Sequence, residues 1–186
     1  MAKMAESARM LICCLILVMY SVDAGSKRNY AILLDRVNYT IHQKGLMTVE
    51  QFQCGKNMIG LNTFTLHLKV EQNITNFQLR DNLRIIREKN ITNTAITNIT
   101  NACDMLSGDY DSTIIKQNVI ELQQSAKPLL LCPLMENALY TISNFTLRPS
   151  LMPPYIPVMS YIETLEIWYA GVHYLDIIFE GRVTKA

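Results

Sequence analysis

Apolar and polar residues alternate over much of the chain downstream of residue 62. Thr63 to Val70 places Phe64, Leu66, Leu68 and Val70 on one side and polar residues on the other, the period-two signature of a half-buried strand. Asn76 to Arg80 continues the pattern with Phe77 and Leu79 inward. Asn82 to Arg87 is less distinct, whereas Thr94 to Asn101 is rich in Thr and Ile and suits a strand more than a helix. Ala138 to Phe145 alternates again, and Pro149, Pro153, Pro154 and Pro157 then force an irregular crossing. Tyr161–Tyr169 and Val172–Val183 predict a hairpin turning at Ala170-Gly171. Its second strand is expected to show His173, Leu175, Ile177, Phe179 and Val183 on one face. Tyr174, Asp176, Glu180 and Arg182 fall on the other, with Ile178 out of pattern.

One segment changes period. Between Ser112 and Ala126, Ile115, Val119, Leu122 and Ala126 recur at spacings of three and four, with polar residues between them. Asp111 or Ser112 can cap the start, and Pro128 lies just beyond the end. This predicts an amphipathic helix of about four turns packed on a sheet. Its polar side lacks the basic character of a membrane-surface helix. The fold expected is mainly β (α+β): an antiparallel β-sandwich or cup with one amphipathic helix on it, stapled by a disulfide. No internal repeat or domain boundary interrupts it.

The N-terminus reads differently. Lys3 and Arg9 precede an uncharged apolar run from Met10 to Tyr20, well short of the roughly 20 residues that cross a bilayer. Val22 and Ala24 supply small residues ahead of a signal-peptidase site. Residues 1–24 are therefore expected to be a cleaved signal peptide, leaving 25–186 as a single secreted domain. Net charge is +1, and the leader takes Lys3 and Arg9 together with Glu6 and Asp23. A chain so balanced lacks the electrostatic footprint of a nucleic-acid or anionic-lipid binder, and no nucleic-acid partner is expected.

Export changes the meaning of the cysteines. Cys13 and Cys14 lie in the leader, so Cys54, Cys103 and Cys132 remain. An odd number means one bridge with a leftover thiol, or an intermolecular bond. Cys103 and Cys132 flank the predicted helix and read as a staple, for which chain entropy suggests roughly 3–4 kcal/mol of stabilisation. Cys54 is then a buried free thiol or the link of a dimer. Five N-x-[ST] acceptors, at Asn38, Asn73, Asn90, Asn98 and Asn144, predict exposed positions carrying glycans. Asn101-Ala-Cys103 is a poor acceptor variant, and a bridge at Cys103 would compete with it.

Catalytic chemistry is not in view. The chain has no G-x-S-x-G elbow, no H-E-x-x-H, no Gly-rich phosphate loop and no Cys-x-x-Cys. His42, His67 and His173 are scattered, without His or Cys partners at helical spacing, and are expected to be ordinary residues rather than metal ligands. Glu163 and Glu166 would point to opposite faces of a strand. Asp104, Asp109 and Asp111 surround Gly108 but lack the ligand positions of an EF-hand loop, so they read as solvated turn residues. No catalytic residue, cofactor or metal is therefore expected. What remains is apolar bulk for a core, with Phe64, Leu66, Tyr140, Trp168 and Phe179 as candidate pocket residues should the sheets splay apart around a ligand. A filled sandwich acting as an extracellular interaction protein is the alternative, and periodicity does not separate the two.

The stretch Asn98-Ile-Thr-Asn-Ala-Cys103-Asp-Met-Leu106, the helix after it, Leu131-Cys132-Pro133 and Tyr140 to Pro149 resemble an insect secreted family that includes the CheB chemosensory proteins. Leu151 to Pro157 and Ser160-Tyr161 resemble that family's proline-rich crossing into its penultimate strand. The family is related to the ganglioside activator and other lipid-recognition β-sandwiches. The resemblance spans roughly Cys54 to Val183. Asn101 stands where the family usually has Asp, and an upstream cysteine found in many members is absent, leaving Cys54 without that partner. The resemblance implies a secreted, non-catalytic glycoprotein that binds or presents a small hydrophobic or lipid-like ligand. It also implies a role in chemosensation such as pheromone perception, with a membrane receptor as a further partner.

Overall fold

Alternation of apolar and polar side chains is resolved into two antiparallel sheets in a computed structural model, which describes residues 30–56, 62–87, 90–109, 113–146 and 156–185. The predicted leader, the helix cap at Asp111 or Ser112 and most of the proline-rich crossing lie outside the described residues. The strands are β1 (Tyr30–Ile41), β2 (Met47–Lys56), β3 (Asn62–Val70), β4 (Gln78–Arg87), β5 (Asn90–Ile99), β6 (Ala126–Lys127), β7 (Leu139–Phe145), β8 (Met159–Tyr169) and β9 (Val172–Lys185). A five-stranded sheet runs β1-β9-β8-β4-β5 and a four-stranded sheet runs β2-β3-β7-β6. The protein is mainly β, with helices added at one place.

Two helices lie between β5 and β6: α1 (Ala102–Ser107) and α2 (Thr113–Ser125). The second is the amphipathic helix expected from the sequence. The first is an addition. Asn101 caps α1 by accepting from the Asp104 backbone N–H, and Gly108 ends it at φ 82°, a left-handed conformation that suits glycine at a helix C-terminus. Asp104 thus belongs to a cap rather than to a turn. The chain leaves the β5 edge of one sheet through these helices and re-enters at the β6 edge of the other. The Cys103–Cys132 disulfide, with Cα atoms 5.6 Å apart, ties α1 to the loop that follows β6.

Strands β1 and β2 were not legible from the sequence pattern, for a definite reason. The β1–β9 register shifts between Leu34 and Arg36, and the β2–β3 register shifts between Val49 and Gln51. Each bulge inserts a residue and inverts the facing of everything after it. The β8–β9 hairpin turns where expected, with Ala170 and Gly171 both at positive φ (49° and 77°), as a primed two-residue turn requires. A bulge there has a consequence for His173. Ile167 pairs with Leu175 but Trp168 pairs with His173, leaving Tyr174 without an opposite residue. His173 is consequently not on the Leu175 face, as strict alternation predicts. It sits with Trp168 and Asp176, while Tyr174 packs against the core.

Among the described residues the interior divides into two apolar clusters. The larger joins both sheets and both helices and includes Leu46, Val70, Phe77, Leu106, Leu134 and Leu175. The smaller lies at one end of the five-stranded sheet and comprises Tyr30, Ile32, Leu83, Ile85, Met159, Tyr161 and Val183. On β4 the change of cluster falls between Leu79 and Leu83, and on β8 between Leu165 and Tyr161. The inward residues at those two changes are Asp81 and Glu163, 3% and 1% exposed. Two carboxyl groups form a polar seam through the inside of the sheet.

Candidate ligand cavity

The larger cluster is not filled. A cavity of about 160 Å³ lies within it, walled by Phe64 and Leu66 of β3, Ile142 and Phe145 of β7, Leu165 of β8, Phe179 of β9, and Leu106 and Leu122 of the helices. Asp81, Glu163 and Asn118 also border it, and among the described residues every other one that lines it is apolar. A close-packed interior leaves few voids larger than a water molecule. A void of about 150 Å³ in an apolar core stays dry and takes up benzene. An apolar wall with a small number of convergent polar groups is the usual constitution of a small-molecule site.

Helix α2 forms its wall from the face anticipated in the sequence: Val119 is buried and Leu122 borders the cavity. Asn118, just before Val119, is also buried, at 5% exposure. The wall is held by Gln123. Its side-chain amide donates to the carbonyls of Leu106 (3.2 Å) and Leu130, and its oxygen accepts from the Leu130 N–H at 2.7 Å. One side chain therefore joins the end of α1, the body of α2 and the loop beyond it. Its polar type at a half-buried helical position gave no sequence signal for this role.

At another part of the wall the aromatic rings meet. Phe64 lies 5.2 Å from both Phe145 and Phe179, centroid to centroid, and Phe52 stands edge-on to Phe64 and Phe179 at 6.1 and 5.6 Å. Such tilted and edge arrangements are the favourable ones for aromatic quadrupoles. Phe64, Leu66 and Phe179 thus border the cavity. Tyr140 is buried in the surrounding core but does not line it, and its hydroxyl accepts from the Met135 N–H at 3.1 Å. Trp168 is elsewhere. Its indole N–H donates to Glu166 at 3.0 Å and its ring stacks on His173 at 4.6 Å, on the opposite side of the sheet.

The carboxyl groups give the cavity its polarity. Asp81 pairs in register with Leu165, and Leu83 pairs with Glu163, so the two acids are diagonal neighbours on one face, roughly 7–8 Å apart by backbone geometry. Desolvation pushes the Asp81 carboxyl from 3.8 up to about 7, because burial penalises its charged form. Its Oδ1 is buried and has no hydrogen-bond partner among the described residues. Glu163 and Glu166 fall on opposite faces of β8, as strand spacing predicts. Glu166 faces outward toward Arg80 and Trp168, whereas the acid beside Glu163 comes from the adjacent strand.

The histidines are less scattered than their positions in the chain suggest. Asp176 Oδ2 lies 2.8 Å from His42 Nε2, and Oδ1 lies 2.6 Å from His173 Nε2. The two imidazoles stack at 4.0 Å. All three donor atoms fall within 4.8 Å of one another. Two imidazoles and a carboxylate are a donor set that can hold a transition metal with a position to spare. They also satisfy one another directly, each imidazole taking its own carboxylate oxygen.

Of the predicted glycan acceptors, Asn38, Asn73, Asn98 and Asn144 are exposed; Asn90 opens β5 and its side chain lies outside the described residues. Asn73 also accepts from the Glu136 N–H at 2.9 Å. Cys54 is a free, half-buried thiol directed at the Asp35 carbonyl oxygen, 3.7 Å away. Among the described residues, no helix is long and apolar enough to cross a membrane. No protein-family model and no curated protein matches the chain.

Proposed function

We propose that this chain is a secreted, N-glycosylated, non-catalytic protein that binds or presents a small hydrophobic ligand between its sheets. The observation that carries the reading is the apolar cavity bordered by both sheets and both helices. Filling it adds contacts that the lining side chains otherwise lack, which is the physical reason an apolar void binds an apolar guest. The disulfide and the exposed sequons support an extracellular setting. Chemosensation, with hand-over to a membrane receptor, is the setting that the resemblance to the CheB-containing insect family adds.

An extracellular interaction protein without a small-molecule ligand is the second reading. It draws on Leu129, Leu131 and Met135, apolar residues of the Cys132 loop that are 46–55% exposed. The cavity favours the first reading, since a filled-core protein has no use for one.

Purification of the full chain from a secreting eukaryotic cell line, followed by solvent extraction and mass spectrometry, tests this. A reproducible, stoichiometric lipid or hydrocarbon in the extract is the expected result. A clean extract, with no heat of binding for benzene or hexane, would sink the reading.

A further inference from the structure

The cavity ends in acid, and that constrains what can enter it. Asp81 and Glu163 come from adjacent strands and Asn118 from α2, so three polar side chains from separate elements reach one otherwise apolar space. All three are at least nine-tenths buried. Among the described residues Asp81 Oδ1 has no hydrogen-bond partner, and a buried acceptor left unmade is a standing cost that a donor can remove. We infer that the cavity selects a ligand whose polar end donates hydrogen bonds and is not anionic, an alcohol or an amine on an apolar body, and rejects the free carboxylate of the same body. This inference rests on the cavity being a ligand site.

The chemistry is asymmetric. An ionised carboxylate is acceptor-only, whereas a hydroxyl donates one hydrogen bond and an ammonium three. A ligand carboxylate entering here would meet two other carboxyl groups in a poorly solvated space, where like charges cannot be screened by water. For it to be tolerated, one of the three carboxyl groups would have to take up a proton from solution. An alcohol needs no such change: it donates to Asp81. An amine donates too, and its charge is matched by an ionised acid. Burial pushes the Asp81 carboxyl up to about 7, so the acceptor-only form that selects a donor is the one present above that pH. Free fatty acids are the wrong class for this protein, and fatty alcohols, phenols or alkylamines are the right one.

Isothermal titration calorimetry on the full secreted chain at about pH 8.5, above the titration of Asp81, with n-hexanol, n-hexylamine, hexanoate and hexane, separates the outcomes. Wild type is expected to bind n-hexanol or n-hexylamine about tenfold or more tightly than hexanoate, the discrimination typical of one buried hydrogen bond gained against one left unmade. The alcohol and amine arms show whether the head is recognised as a neutral donor or as a cation. Asp81→Asn keeps the size of the side chain but supplies a donor of its own, so it should narrow the alcohol-to-hexanoate ratio to about threefold or less, while hexane binding stays unchanged. Hexanoate binding as tightly as n-hexanol in wild type would overturn the inference, as would a ratio that does not move in Asp81→Asn. Failure of every compound, hexane included, would overturn the ligand-site reading as well. Hexane binding without head-group discrimination would remove only the inference.

Discussion

Tyr161 occupies the space that a side chain at position 181 would need. A Cβ built on Gly181 would stand 2.6 Å from the Tyr161 hydroxyl oxygen and 2.3 Å from the Leu33 carbonyl oxygen. The two residues are opposite one another in the β8–β9 ladder, so the glycine exists to let the ring lie across the strand. Gly181→Ala should destabilise the protein by about 3 kcal/mol or more in urea unfolding. Trimming the phenol with Tyr161→Phe should not rescue it, because the Leu33 carbonyl remains. A neutral Gly181→Ala would disprove the packing argument.

Asp81 makes stability depend on pH in an unusual direction. Its carboxyl titrates near 7 in the folded protein against 3.8 as the ordinary value. The folded state therefore holds a proton that the unfolded chain has released, and the stability present below pH 4 is lost as pH rises through 7. At about 1.4 kcal/mol per unit the effect amounts to a few kcal/mol. Asp81→Asn should raise the melting temperature at pH 8 and leave it nearly unchanged at pH 4. A wild-type-minus-variant difference that is flat with pH would contradict the burial argument.

Gln123 holds three segments through one amide. Gln123→Ala leaves the Leu130 N–H and the Leu106 carbonyl without their partner and should cost about 1–3 kcal/mol. Hydrogen exchange should speed up along α1 and at Leu130 more than in β8 or β9. Uniform acceleration would indicate a global rather than a local loss.

The bridge between Cys103 and Cys132 closes a long loop around both helices. Replacing both cysteines with serine should lower stability by about 3–4 kcal/mol. Because Met105, Leu106 and Leu122 wall the cavity from those helices, hexane affinity should fall with it. Unchanged unfolding on reduction would show that the helices dock without help.

Trp168 is the chain's only tryptophan, and its ring lies nearly parallel to His173, 6° between planes. His173→Ala should uncover the indole and shift its emission to longer wavelength, with a stability change of about 1 kcal/mol or less for a half-exposed contact. An unmoved spectrum would mean that the ring is shielded by something else.

How much of this was visible in the chain depends on where period two survived. Thr63–Val70, Ala138–Phe145 and the β8–β9 hairpin keep strict or nearly strict alternation, and the sequence locates them. So does α2, whose inner face follows helical spacing. The bulges near Asp35 and Glu50 hid β1 and β2, and the one beside Tyr174 sent His173 to the outer face. The pocket residues divided along the same line. Phe64, Leu66 and Phe179 follow uninterrupted alternation into the cavity, whereas Trp168 belongs to the solvent-side group around Asp176. Asp81 was invisible because Arg80-Asp-Asn82 reads as a polar segment, and only the register with β8 shows that its middle member is the inward one.

The seam of Asp81 and Glu163 has a final consequence, for length. No residue of the smaller apolar cluster borders the cavity, so a ligand whose head rests on the two acids can extend its alkyl chain only away from them, along the apolar void. The acids then act as a ruler. Homologues of one ligand should gain affinity with each methylene until the chain spans the void, and the next should bring no gain. The reading of that ruler is written in the position of two acids on neighbouring strands, and moving either by one inward position should reset it.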